Sequence, residues 1–114
     1  MDKIRKTAKE LGMMIRNTTV YREYDKYMKE LDENPELSGL LSDYEVRAGM
    51  LSMRQKSGET LAPFEIEEIR EITRRINEED QIMQYLNARE QYLGLIMKVQ
   101  EELKKTEHDE GTAE

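Results

Sequence analysis

The chain has 114 residues, 37% hydrophobic and 38% charged, a length suited to one domain but with a low apolar share for a compact monomer. It carries a net charge of −7 and no cysteine, which excludes disulfides, thiolate nucleophiles and cysteine-ligated metal or iron–sulfur centres. No stretch approaches the roughly 18 uncharged apolar residues of a membrane span, and MDKIRKTAKELG lacks the apolar core of a signal peptide, so a cytoplasmic protein with no membrane role is expected.

The first element reads as one long helix from Lys3 to Leu31. Ile4, Ala8, Leu11, Ile15, Thr18, Tyr21, Tyr24, Met28 and Leu31 recur at spacings of 3 or 4, the period of one helical face. Asn34-Pro35-Glu36 then ends one helix and starts the next. Asn34 offers a capping oxygen, Pro35 suits the first helical position, and Glu36 places an acid in the first turn. The second helix carries Leu37, Leu40, Leu41, Tyr44, Ala48, Leu51 and Gln55, and stops at Ser57-Gly58, where glycine accepts the left-handed conformation of a helix end.

After the turn Glu59 to Pro63, a third helix carries Phe64, Ile66, Ile69, Ile72 and Ile76, and the polar patch Asn77-Glu78-Glu79-Asp80 kinks it or divides it from the last apolar segment. That segment holds Ile82, Leu86, Leu93, Ile96 and Leu103 beside a heptad seam of Tyr85, Ala88, Tyr92, Leu95 and Val99. Residues 105–114 have no apolar periodicity and read as a disordered polar tail behind a helical domain of residues 1–104.

A first helix of about 28 residues would span about 42 Å, against a diameter of about 35 Å for a compact domain of this length. The expectation is therefore an all-α, elongated antiparallel bundle of three to five helices, completed by dimerisation. The candidate interface is Leu11, Tyr21, Tyr24 and Met28 on the first helix with Tyr85, Ala88, Tyr92, Leu95 and Val99 on the last, the helix junctions being Asn34, Pro35 and Gly58.

Charge is unevenly placed. Residues 2–31 hold 8 Lys/Arg against 5 Asp/Glu, whereas residues 32–114 hold 10 against 20. An acidic body disfavours direct nucleic-acid binding, which needs clustered cations. The basic first helix suits an acidic helix of its own chain or of a partner, or is simply a solvated face.

The catalytic candidate is Glu67-Glu68-x-x-Glu71, whose carboxylates on adjacent helical turns suit Mg²⁺. All-α nucleotide pyrophosphohydrolases use such a run together with a later E-x-x-D, and here Asn77 and Thr106 stand three residues before Asp80 and Asp109. A solvated acidic face, with Glu71 paired to Arg74 or Arg75, accounts for the run without metal. His108, the one histidine, has no neighbour to orient it, and Ser38, Ser42, Ser52 and Ser57 have neither a histidine nearby nor a glycine elbow. No cofactor, resident metal or small-molecule substrate is therefore expected. The eight methionines have two uses, filling the core or forming an adaptable binding surface, with Met13, Met50 and Met53 lying beside the main stripes. Gly12, Gly49 and Gly94 lie inside helices, where close helix crossing would offset their poor propensity.

Ala8-x-x-Leu11-Gly12 with Tyr21, Asn34-Pro35-Glu36 with Leu40-Leu41 and Tyr44, Gln55-x-x-Gly58 before a proline-led helix, and Ile82-x-x-Tyr85-x-x-Ala88 followed by Tyr92, Leu95, Ile96 and Val99 form one ordered pattern. Over residues 4–103 it resembles the YlbF/YmcA family of bacterial cell-fate and competence regulators. The resemblance implies a dimer-forming, non-enzymatic adaptor of Gram-positive bacteria, with other family-type adaptor proteins as partners. It also implies a complex that influences RNase Y-dependent mRNA maturation, competence, sporulation and biofilm formation. Some relatives carry C-terminal cysteines associated with an iron–sulfur cluster; this chain has no cysteine, and no cluster is carried over. The alternative from another class is a Mg-dependent nucleotide pyrophosphohydrolase using Glu67, Glu68 and Glu71.

Overall fold

The computed structural model describes residues 1–108. Five helices account for nearly all of them: α1 (Asp2–Arg16), α2 (Thr19–Asp32), α3 (Pro35–Lys56), α4 (Pro63–Asn77) and α5 (Asp80–His108). The fold is an all-α helical bundle, as expected.

The long first helix is a correction: it is two helices, α1 and α2, separated at Asn17-Thr18. The Asn17 amide closes α1 on the carbonyls of Met13 and Met14, each at 3.2 Å. The Thr18 hydroxyl donates to the Ile15 carbonyl at 2.6 Å and accepts the Tyr21 amide at 3.1 Å. One side chain thus satisfies an end of each helix, which favours the interruption over continuous helix. With α1 at 15 residues and α2 at 14, the length argument for an overhanging first helix falls.

The next junction follows its local chemistry. The Asn34 side-chain oxygen accepts the Leu37 amide at 3.3 Å, Pro35 is the first residue of α3, and Glu36 lies in the first turn. Gly58, at φ +88°, turns the chain out of α3, its amide bonded to the Gln55 carbonyl at 3.1 Å. Ala62 precedes α4 and has no capping side chain. The cap comes instead from Glu65, whose carboxylate accepts the Ala62 amide at 3.0 Å, the reverse half of a capping box. The patch Asn77 to Asp80 divides α4 from α5. At the other end α5 runs through His108, four residues into the segment expected to fray, and residues 109–114 lie outside the described residues.

The chain forms two compact units. Among the described residues, one combines Met1–Lys26 with residues 86–108, and the other is Tyr27–Tyr85. The second unit holds most of the buried apolar side chains: Leu31, Leu41, Ile72, Ile76 and Ile82, the last fully buried. Its helix ends are tied by Gln81, whose amide nitrogen donates to the Glu30 carbonyl at 2.9 Å while its oxygen accepts from the Asn34 amide group at 3.4 Å. The end of α2, the start of α3 and the start of α5 are thereby joined through one side chain. In the first unit Ala88 is buried and three tyrosines pack together.

Two further expectations are corrected. The methionines are not core fillers: Met1, Met13, Met14, Met50, Met53, Met83 and Met97 are exposed, and Met28 alone is partly buried. Nor do the helical glycines mark close crossings within the chain. A Cβ built on Gly12, Gly39, Gly49 or Gly94 meets nothing within 4 Å.

Candidate association surfaces

In the first unit, α1 is strongly two-sided but buries nothing. Ile4, Leu11, Met14 and Ile15 lie along one arc, and Lys3, Arg5, Lys6, Lys9 and Arg16 spread over the rest. None of its residues is buried: Ile4 is 66% exposed and Met14 68%. A helix of this length gains its stability from packing its apolar face, and among the described residues only Ile15 of this arc is partly buried while Ile4, Leu11 and Met14 stay exposed.

Beside this face the rings of Tyr24 and Tyr92 stack with centroids 4.8 Å apart, and Tyr21 meets Tyr92 edge-on at 5.7 Å and Tyr24 at 6.5 Å. Stacked and edge-on pairs at these separations are the favourable aromatic geometries. Tyr21 and Tyr92, with Lys9, Gly12, Met13, Ile15 and Arg16, line an open groove of about 660 Å³. Its lining thus combines two tyrosine rings with the cations Lys9 and Arg16.

The residues expected at an interface divide between the units. Leu11, Tyr21, Tyr24, Ala88, Tyr92, Leu95 and Val99 belong to the first, while Met28 and Tyr85 belong to the second. The structure gathers Tyr21, Tyr24 and Tyr92 and buries Ala88, whereas Leu95 and Val99 are partly buried and Leu11 is exposed. On α5 the more exposed apolar residues are Leu93, Met97 and Leu103, which lie off the heptad seam.

In the second unit, α3 and α4 are clamped by ion pairs. Arg54 lays its guanidinium across both Glu65 oxygens and donates to Glu59 at 2.7 Å. Arg47 joins Asp43 at 3.0 Å to Glu68 at 2.9 Å. The Arg54 fork and the Ala62 amide hold the Glu65 carboxyl below the usual carboxylate range, and the same fork raises Arg54. Between the clamps lies a small apolar groove lined by Met50, Leu51 and Ile69. Val46, Met50 and Met53 on α3 and Phe64 on α4 are well exposed.

The acidic run of α4 is engaged by arginines. Glu67 meets Arg70 at 2.7 Å, Glu68 meets Arg47, and Glu71 takes two bonds from Arg74, which also reaches Glu78 at 2.6 Å. Arg74 holds the Glu71 carboxyl below its ordinary range. No group of three or more His, Asp or Glu positioned for a metal ion occurs among the described residues. Among those residues, too, no helix is long and apolar enough to cross a membrane.

Sequence reading missed Gln81, whose two partners lie 47 and 51 residues away and leave no local mark. It set Met50 and Met53 beside the main stripes as candidates for an adaptable surface but did not extend that stripe to Val46, which stands at helical spacing from them.

A family model described as control of competence regulator ComK, YlbF/YmcA, matches residues 4–106. Two solved structures share the fold. A protein of unknown function from Bacillus stearothermophilus aligns with a TM-score of 0.75 at 14% identity, covering 97% of each chain. Bacillus subtilis RicA, solved in complex with RicF, aligns with a TM-score of 0.70 at 17% identity, covering 96% of this chain and 97% of that one. No curated protein sequence matches.

Proposed function

From the premise that the chain belongs to the YlbF/YmcA family, we propose that it is a cytoplasmic regulatory adaptor that works by protein–protein association. Its partners are a second copy of itself and another family-type protein, as in the complex of RicA with RicF. The observation that carries this reading is α1, a two-sided helix of which no residue is buried among the described residues and whose Ile4 and Met14 stand open. The helical body of residues 1–104 carries the association, with Leu11, Tyr21, Tyr24, Tyr92, Leu95 and Val99 at or beside the surfaces used. The pathway we assign is modulation of RNase Y-dependent mRNA maturation, and through it competence, sporulation and biofilm programmes. The reading contains no chemical step.

Affinity capture of the tagged chain from its native cytoplasm tests the association. Recovery of a family-type protein in stoichiometric amount is expected, and recovery of the bait alone refutes the adaptor role. Transcript ends mapped in a strain lacking the gene test the pathway. Shifted processing sites in polycistronic messages are expected, and an unchanged map removes the link to mRNA maturation.

A further inference from the structure

Arg5, Lys9, Gly12 and Arg16 follow one another along α1 at spacings of 4, 3 and 4, so they share one side of the helix, within about 60° of arc. Ile4, Leu11 and Met14 lie on the other side. Arg5, Lys9 and Arg16 are exposed, and among the described residues none of them has a carboxylate within ion-pair distance. Four arginines of α3 and α4 differ: Arg47, Arg54, Arg70 and Arg74 each hold at least one glutamate. Gly12 interrupts the cations of α1. A Cβ built there meets nothing within 4 Å, so packing against its own chain does not call for glycine in mid-helix.

This side of α1 borders the tyrosine cluster: Lys9, Gly12 and Arg16 line the same open groove as Tyr21 and Tyr92. Lys9 and Arg16 stand about 10 Å apart along the axis, at 1.5 Å per residue. The glycine between them lets another backbone come close. Cations at a helical repeat, on either side of a groove with aromatic lining, are complementary to a second helix that carries carboxylates at the same repeat and an apolar side chain between them. A nucleic acid fits less well. Bases need a free ring face, whereas the Tyr92 ring stacks on Tyr24 at 4.8 Å and meets Tyr21 edge-on. The chain's net charge of −7 also opposes a long phosphate backbone.

We propose that the Arg5–Lys9–Gly12–Arg16 side of α1 docks an acidic amphipathic helix of a partner protein. Its carboxylates meet the three cations, and an apolar side chain passes over Gly12 into the tyrosine-lined groove. The inference rests on the protein–protein association in the proposed function and adds where a partner sits and what chemistry it carries. It leaves the Ile4–Leu11–Met14 arc of the same helix uncovered.

The test uses the full chain and two labelled synthetic helical peptides of about 20 residues, followed by fluorescence anisotropy. At spacings of 4, 3 and 4 one peptide carries Glu, Glu, Leu and Glu, and the other Glu, Leu, Glu and Glu, which covers both directions of pairing. At least one is expected to bind the parent at tens of micromolar or tighter. Lys9→Glu with Arg16→Glu is expected to weaken that binding at least tenfold, and peptides with Lys in place of Glu are expected to bind this variant and not the parent. Gly12→Leu fills open space without meeting its own chain, so it should keep the helix by circular dichroism and still weaken the peptide at least fivefold. Raising salt from about 50 to about 500 mM should weaken it severalfold, because the Debye length shrinks. Peptides that bind neither protein, or bind the charge-reversed variant as well as the parent, overturn the proposal. So does a single strand of about 15 nucleotides that binds the parent more tightly than either peptide. A parent dimer that the charge reversal makes monomeric in sedimentation, with no peptide bound, gives this side of α1 to a second copy and also overturns it. In each of these cases capture of a family-type partner still decides the adaptor role.

Discussion

Replacing Ile82 with alanine should remove the keystone of the Tyr27–Tyr85 unit. Ile82 is 0% exposed, the fully buried large side chain among the described residues, and begins α5 next to Gln81, which ties the ends of α2 and α3. Deleting three buried carbons from a fully buried site costs about 3–4 kcal/mol, the transfer term plus the cavity term. That is a large part of the about 5–15 kcal/mol that holds an ordinary domain together. For a chain of this size the midpoint of thermal unfolding should fall by roughly 10–20 °C. Urea titration followed by far-ultraviolet circular dichroism measures the loss directly, with Ile82→Val as a graded control losing about 1 kcal/mol. Met53→Ala, at a site 73% exposed, should change stability by less than about 0.5 kcal/mol. An Ile82→Ala loss below about 1 kcal/mol at an unchanged m-value would refute the assignment of the core to this unit.

The helix ends and glycines give three more expectations. Thr18→Ala should cost about 1 kcal/mol and speed hydrogen exchange at the Tyr21 amide, which the Thr18 hydroxyl holds at 3.1 Å; unchanged exchange would mean that the hydroxyl is not the cap. Gly58→Ala should destabilise by about 1–2 kcal/mol because φ is +88° there, whereas Gly49→Ala, in open space within a helix, should stabilise the monomer by about 0.5–1 kcal/mol, both read from thermal melts. The Glu65 carboxyl is held low by Arg54 and the Ala62 amide, so its contribution is complete above the ordinary glutamate range and is lost as pH falls through the lowered folded value. Glu65→Gln should therefore lower stability at neutral pH and leave it nearly unchanged in strong acid, and equal losses at both would show that the carboxylate charge is irrelevant.

What could be read from the sequence depended on how far each interaction reaches. Asn34-Pro35-Glu36 declares a helix start because its oxygen acts on an amide three residues away, and that bond is present at 3.3 Å. Gly58 is similarly local. The break at Asn17-Thr18 is equally local, yet the period hid it, since Thr18 fell on the stripe running from Ile15 to Tyr21. The run Asn17-Thr18-Thr19, three residues in succession that favour caps and turns, was the available signal. The tie through Gln81 could not be read at all, because both its partners are distant in the chain. The interface expectation was limited differently. Periodicity gives the direction of an apolar face but not whether the same chain covers it, and the heptad seam of α5 and the arc of α1 look alike until Ala88 is found buried and Ile4 exposed.

That distinction bears on how association and folding are linked. Of the six buried apolar side chains among the described residues, five lie in Tyr27–Tyr85, and α1 contributes none. A 15-residue helix is marginal in water on propensity alone. On the proposed association, the free energy that orders α1 would come largely from the partner that covers Ile4, Leu11 and Met14, since a partner that binds the helix but not its frayed form stabilises it by mass action. Amide protection in α1 should rise as protein concentration passes through the association range, while protection around Ile72, Ile76 and Ile82 stays constant. If α1 and the second unit exchanged in parallel at every concentration, the helix would owe its order to its own chain. The exposed face would then be an ordinary solvated surface and not the means of association.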